Sequence, residues 1–200
     1  MRTLILLSSI LLSGILAAQN LESRLKNLAK VRVTSADYTQ IRTIAELEMQ
    51  LTIKGSMICE SGGRLRWQSD SPVKNITLID KDSLVNFDCE SGKSVKISAG
   101  KFPWLSLIRE SFMDTFTGNL QNLRKRFTIT EENRFTLLLV PADETIASWV
   151  KTMRLTFTGD FSAVKKIEIV EKSGDKLEII CSNIVINPTI PEKMWKLPEE

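Results

Sequence analysis

The sequence predicts an α+β domain in which a single, strongly bent antiparallel sheet of about ten or eleven strands carries two or three helices on its inner face. Three observations lead there. Short stretches in which apolar and polar residues alternate with a period of two recur along most of the chain, which is the pattern of half-buried strands. The connections between them are mostly short and rich in Gly, Asp, Ser and Asn, so adjacent strands have to run antiparallel. Helical spacing breaks in at only a few places, and no linker or composition shift divides the chain.

The first residues read as an export address. Arg2 precedes an apolar run from Leu4 to Leu16, followed by Ala17-Ala18, which is the order of a cleavable secretory signal cut after Ala18. The run is shorter than the roughly 20 apolar residues of a comfortable membrane span. A retained signal-anchor is the alternative, because bulky Leu16 stands where a small residue is preferred. No lipobox cysteine lies near the cut, so a soluble, unlipidated domain over 19–200 is expected. At about 180 residues it is large enough for one proper core.

Next comes NLESRLKNLAKV, which places Leu21, Leu25 and Leu28 at helical spacing with Arg24, Lys26 and Lys30 on other faces. A strand follows around Tyr38 to Arg42. Between Leu47 and Lys54, Leu47, Met49, Leu51 and Ile53 alternate with Glu48, Gln50, Thr52 and Lys54. After a turn at Glu60-Ser61-Gly62-Gly63, Leu65 and Trp67 alternate with Arg64, Arg66 and Gln68 in the same sense. The pair is a long hairpin with one apolar side. Three further short strands, around Ile76 to Leu78, Leu84 to Asp88 and Val95 to Ile97, continue the meander.

The stretch KFPWLSLIRESFMDTFTGN differs in kind. Pro103 suits a first helical turn, Gly118 a helix stop, and Trp104, Leu107, Ile108, Phe112, Met113 and Phe116 recur mostly at spacings of three and four. Two readings stay open: a core helix packed on the sheet, or a lid whose flexible side chains yield to a hydrocarbon, a role that suits the unbranched thioether of Met113. Beyond a short helical stretch at Leu120 to Lys125, strand signals return at Phe127 to Ile129, Phe135 to Leu139, Leu155 to Phe157, Val164 to Val170 and Leu177 to Cys181. Between them, ADETIASWV predicts one or two helical turns, and the proline-containing tail from Asn187 is expected to lie along the surface.

Composition removes several functions. With 27 basic against 24 acidic residues, the formal charge of +3 is too small and too scattered for a nucleic-acid surface. The chain has no histidine, which leaves no Ser-His or Cys-His pair and no histidine metal ligand, and no Gly-rich phosphate loop is present. No cofactor or metal is called for, and an enzyme is not expected. Cys59 and Cys89 each open a Cys-Glu-Ser-Gly tetrapeptide. In a meander the two fall at opposite ends and three strands apart, about 14 Å sideways, whereas a disulfide tolerates only about 7 Å between α carbons. Free structural thiols are therefore expected.

What remains is binding. A bent sheet cannot leave an apolar inner face wet, and a loosely seated helix over it makes a pocket for hydrocarbon. The residues expected to line it are Met49, Leu51, Ile53, Leu65, Trp67, Ile76 and Leu78 from the sheet. From the helical segment they are Trp104, Ile108, Phe112, Met113 and Phe116. Each buried methylene contributes about 0.8 kcal/mol, so a chain of roughly 16 carbons gains about 12 kcal/mol before ordering costs.

At the hairpin the sequence also resembles a known family. Tyr38-Thr39-Gln40, Arg42, the long strand with Gly55, and Leu65-x-Trp67 followed by Ser71-Pro72 are similar to the opening of the LolA-like carriers. Leu137 to Pro141, Gly174-Asp175-Lys176, and Ile190-Pro191 with Trp195 resemble later parts of the same family. The resemblance implies a half-open β-barrel in the periplasm that shields acyl chains and moves lipoproteins or other lipids toward the outer membrane. It also implies an inner-membrane donor, an outer-membrane acceptor and a monomeric carrier. One departure stands out: where the best-known carriers have a lid-latching Arg-Pro, this chain has Glu60-Ser61-Gly62, leaving Arg64 or Arg66 as candidate substitutes. Ile41-Arg42-x-x-x-Glu46-Leu47 and Gly55 resemble more closely the related proteins of lipid or aryl-polyene assembly systems. A lipid-sensing or regulatory module and a fully packed interaction domain are the alternatives.

Overall fold

The alternating stretches become strands in sequence order: β1 (Val33–Ile44), β2 (Met49–Glu60), β3 (Arg64–Ser71), β4 (Asn75–Ile79), β5 (Ser83–Asp88) and β6 (Lys93–Ser98). The second half supplies β7 (Phe127–Asn133), β8 (Thr136–Pro141), β9 (Val150–Phe157), β10 (Val164–Glu171) and β11 (Lys176–Ile186). They are seen in a computed structural model that describes residues 21–80, 83–98, 113–114 and 119–198. All eleven strands join one open sheet in the order β6-β5-β4-β3-β2-β1-β11-β10-β9-β8-β7. Two meanders, β1 to β6 and β7 to β11, are thus joined side by side through the antiparallel pairing of β1 with β11. An open sheet of this width curls, and bulges at Ser35/Asp37 and Lys54/Gly55 add to the bend. The predicted α+β class and single curved sheet are what the chain adopts.

Register decides which side chains share a face. Ala36 and Tyr38 of β1 lie opposite Met57 and Gly55 of β2, and Tyr38 lies opposite Cys181 of β11. Following the pairs outward puts Ile179, Ile167, Leu155 and Leu137 on the same, inner side. Here the core is densest, with Leu139 and Leu155 wholly buried. The N-terminal helical residues 21–25 and the short 3-10 helix Leu28–Lys30 bury Leu21, Leu25 and Leu28 in this cluster, as their spacing predicts. Arg24 fixes that segment over β7 to β10: it pairs with Glu131, donates to the Arg134 carbonyl and lies 5.2 Å from the Phe161 ring centroid.

The helix Leu120–Arg126 and the turn of helix Glu144–Ala147 add Leu123 and Ile146 to the core, each capped by the side chain before it, Asn119 and Asp143. Because β6 and β7 are the two edges of the sheet, the connection between them has to travel from one side to the other. Met113 lies within that connection in a helical pair of residues, 113–114, with its Sδ 3.9 Å from the Cys59 Sγ of the inner face. Residues 101–112 and 115–118 of the predicted apolar helical segment, and the export address before residue 19, lie outside the described residues.

The opposite face corrects two expectations. Ile76 and Leu78 of β4 pair with Gln68 and Arg66 of β3, so they sit on the outer face, away from Leu65 and Trp67. In β4 both faces are apolar, since Ile79 falls on the inner side opposite Leu65, and alternation by itself could not choose. The outer face is not wet here: Ile58, Arg66, Ile76 and Phe87 are all buried. The C-terminal tail crosses it, where Arg66 donates to the carbonyls of Met194 (3.0 Å) and Lys196 (3.3 Å). Arg64 joins in, paired with Glu60 and Glu192 and placed 4.4 Å from the ring centroid of Trp195. Both arginines therefore face away from the inner surface and serve as clamps for the tail.

Candidate functional site

Along β1 and β2 the inner face changes character. At one end Ala36, Met57 and Cys59 are buried. Past the middle, Gln40, Ile44 and Ile53 are only half-buried, and at the far end Leu51 is 41% and Met49 47% exposed although both point to the core side. The register extends this open apolar patch to half-buried Leu177 on β11, opposite Arg42, and Ile169 on β10, opposite Leu177. Strands place these groups because every second side chain of a strand shares a face, and the packed N-terminal segment lies over the other half of the sheet.

The residues expected from sequence separate into three sets. Met49, Leu51, Ile53 and Trp67 share the patch or its margin, whereas Leu65 is buried in the core. Met113 reaches the inner face at Cys59. Trp104, Ile108, Phe112 and Phe116 lie outside the described residues, and Ile76 and Leu78 belong to the outer face as described above. Leu177 and Ile169 carry no local signal because the β1–β11 pairing brings them in from distant strands, and Ile44 lies beyond the predicted strand Tyr38 to Arg42.

Two polar features punctuate the patch. Arg42, directly opposite Leu51, donates to Glu171 at 2.8 and 3.2 Å and to Asp175 at 3.2 Å. Asp175 also accepts from the Ala45 amide at 3.0 Å, which ties the β10–β11 turn to the β1–β2 hairpin. Hydrogen bonding to Glu171 raises the Arg42 pKa further, so a fixed charge marks the rim.

The second feature is Tyr38, at the boundary of the open and closed halves. Its ring stacks obliquely on half-buried Trp67, with centroids 4.4 Å apart. Gly55, directly opposite on β2, admits no side chain, because β3 approaches it closely: a Cβ there would lie 1.9 Å from the Gln68 carbonyl oxygen. Burial pushes the phenol up to about 12. The same effect pushes the Cys59 thiol up to about 12 and the Cys181 thiol to about 11.

The chemistry this surface can do is to hold something apolar. Among the described residues, no group of three or more His, Cys, Asp or Glu side chains is placed to hold a metal ion. The carboxylates at the rim, Glu171 and Asp175, are engaged in ion pairs with Arg42. Among the described residues, no helix is long and apolar enough to cross a membrane.

Comparison with known proteins bears on the fold and the family. No curated protein sequence matches the chain. Among solved structures, an uncharacterized conserved protein from Thermus thermophilus superposes with a TM-score of 0.56 at 10% identity, covering 92% of this chain and 96% of that one. At that identity the likeness speaks to the fold alone. A putative outer membrane lipoprotein-sorting protein domain from Vibrio parahaemolyticus superposes at a TM-score of 0.45 and 12% identity, covering 89% and 94% of the two chains. A LolA superfamily protein from Nitrosomonas europaea does so at 0.44 and 10%, covering 88% and 97%. The family described as "Outer membrane lipoprotein carrier protein LolA" matches residues 29–198, from the end of the N-terminal helix to the tail clamped by Arg66. With that match running over nearly the whole sheet, the chain belongs to the LolA family.

Proposed function

We propose that the chain is a periplasmic carrier that binds acyl chains of lipoproteins or other lipids against the open half of its inner face and moves them toward the outer membrane. The observation that carries this reading is the exposure of Met49 and Leu51 on the core side of a sheet whose other half is tightly packed. Residues 1–18 direct export and 19–200 form the carrier. Burying a palmitoyl-length chain gains about 12 kcal/mol before ordering costs, so no ionic or catalytic contact is needed for affinity. The carrier is monomeric, has no enzymatic step and uses no cofactor. It receives cargo from an inner-membrane donor and delivers it to an outer-membrane acceptor.

The test is lipid extraction and mass spectrometry of the protein purified from the periplasm after export by its own leader. Acylated lipid in amounts comparable to protein is expected. Protein that carries no lipid and also fails to take up an apolar fluorophore would mean that the inner face is closed, and the domain would then be a packed interaction module.

A further inference from the structure

We propose that the Tyr38 hydroxyl is the polar recognition point of the carrier site, donating a hydrogen bond to the carbonyl of an ester or amide at the head of a bound acyl chain. The inference rests on the carrier reading and specifies its cargo: chains attached through a carbonyl, in preference to bare or ether-linked hydrocarbon.

Position comes first. Tyr38 is on the inner face by register, between Gly55 on one side and Cys181 on the other, and is 2% exposed. A buried phenol ordinarily finds a hydrogen-bond partner, because leaving the donor unmatched forfeits its hydration. Here the hydroxyl is buried and has none. The Trp67 indole and the Ser69 hydroxyl come near, but neither meets hydrogen-bond geometry with the phenol; Ser69 gives its own proton to the Val73 carbonyl at 2.7 Å. Phenylalanine would stack on Trp67 equally well, so packing does not account for the oxygen.

Location gives the hydroxyl a use. Two residues further along the strands, Gln40 and Ile53 are half-buried, and beyond them Leu51 is exposed. Tyr38 thus stands, by register, at the inner end of the strands that carry the apolar patch, with its ring on half-buried Trp67 and its hydroxyl toward Ser69 and Asp70 of β3. Lipids that carry fatty acids present a carbonyl at one end of each chain. A single neutral donor at the edge of a hydrocarbon surface distinguishes that linkage and leaves the rest of the headgroup unread, since a site with an unmatched polar group disfavours ligands that cannot complete it.

The experiment uses the full mature domain and displacement of bound N-phenyl-1-naphthylamine, an apolar fluorophore without a carbonyl. The competitors are 1-palmitoylglycerol and 1-O-hexadecylglycerol, which differ in the ester carbonyl. Wild-type protein is expected to favour the ester about five- to tenfold, the size of one hydrogen bond. Tyr38→Phe should bring the two to within about twofold while binding the fluorophore as before. Its Tm should stay level or rise by a few degrees, since an unmatched hydroxyl has been removed. Equal wild-type affinity for ester and ether, or a preference that survives Tyr38→Phe, overturns the proposal while leaving the carrier reading intact. A fall in Tm of several degrees would reveal a structural bond and overturn it as well. Failure of wild-type protein to bind the fluorophore ends both readings.

Discussion

Leu51→Asp separates folding from binding at one position. Leu51 is 41% exposed on the inner face, so only part of the roughly 1.5–3 kcal/mol of a fully buried leucine is at stake for folding. The new carboxylate would face Arg42, whose side chain is 34% exposed and already engaged by Glu171 and Asp175. At such exposure a further ion pair contributes less than about 1 kcal/mol. The two effects oppose, and the net loss should be about 1 kcal/mol, a drop in Tm of roughly 2–4 °C. Binding is affected far more, because a carboxylate held against hydrocarbon loses hydration worth several kcal/mol. Affinity for N-phenyl-1-naphthylamine should therefore fall at least about a hundredfold. Thr52→Asp is the matched control: the neighbouring residue is exposed and points to the other face. Urea unfolding and fluorophore titration on the two variants decide the matter. Equal affinity in both would refute the assignment of the open half of the inner face as the binding surface.

Three other outcomes follow from the same geometry. Gly55→Ala forces a methyl group to within 1.9 Å of the Gln68 carbonyl oxygen, so the bulge must shift; the urea midpoint should fall by an amount equivalent to about 3 kcal/mol or more, and a variant of unchanged stability would contradict the close approach of β2 and β3. Burial holds the Cys59 and Cys181 thiols above their ordinary value of 9.0, at about 12 and about 11. The folded protein keeps those protons where the unfolded chain releases them, so stability is full below about pH 9 and falls above it, by up to about 1.4 kcal/mol per pH unit for each thiol. Urea midpoints at pH 8, 9 and 10 should decline less steeply in Cys59→Ala than in wild type, and a thiol reagent at pH 8 should modify exposed Cys89 well before the two buried cysteines.

Much of the fold was legible because strand periodicity is local. All eleven strands fall where alternation or short apolar runs place them, and the N-terminal leucines are buried as spaced. What could not be read is which face wins when both are apolar. β4 carries Ile76 and Leu78 on one side and Ile79 on the other, and only pairing with β3, plus a tail more than a hundred residues away, settles that the first two turn outward. Arg64 and Arg66 follow the same rule: near in sequence to the turn where a latch is expected, they belong by register to the outer face. Strand length was also underestimated, since β2 continues through Gly55 to Glu60 once β1 and β3 supply its hydrogen bonds. In the candidate site, alternation places Leu51 and Met49 on the inner side of β2, whereas Arg42's partners Glu171 and Asp175 arrive through the β1–β11 pairing and carry no local mark.

The division of the inner face explains how such a domain can stay folded while a surface remains available. Folding draws on β7 to β11 and the N-terminal helix, where Leu137, Leu139, Leu155 and Ile179 are almost wholly buried. The β1–β3 half is held from behind, through the tail carbonyls on Arg66 and the Glu60–Arg64–Glu192 cluster. Among the described residues, bracing from the outer side leaves Met49 and Leu51 exposed on the inner side of β2, and on the proposed carrier reading cargo would occupy and leave that end without disturbing the core. The Arg42–Glu171–Asp175 cluster completes the arrangement by pinning the hairpin to the β10–β11 turn, which keeps the open rim in register with the packed half. A surface that is apolar but not needed for stability is what reversible binding of hydrocarbon requires: affinity comes from burial on demand, and release costs the domain none of its own packing.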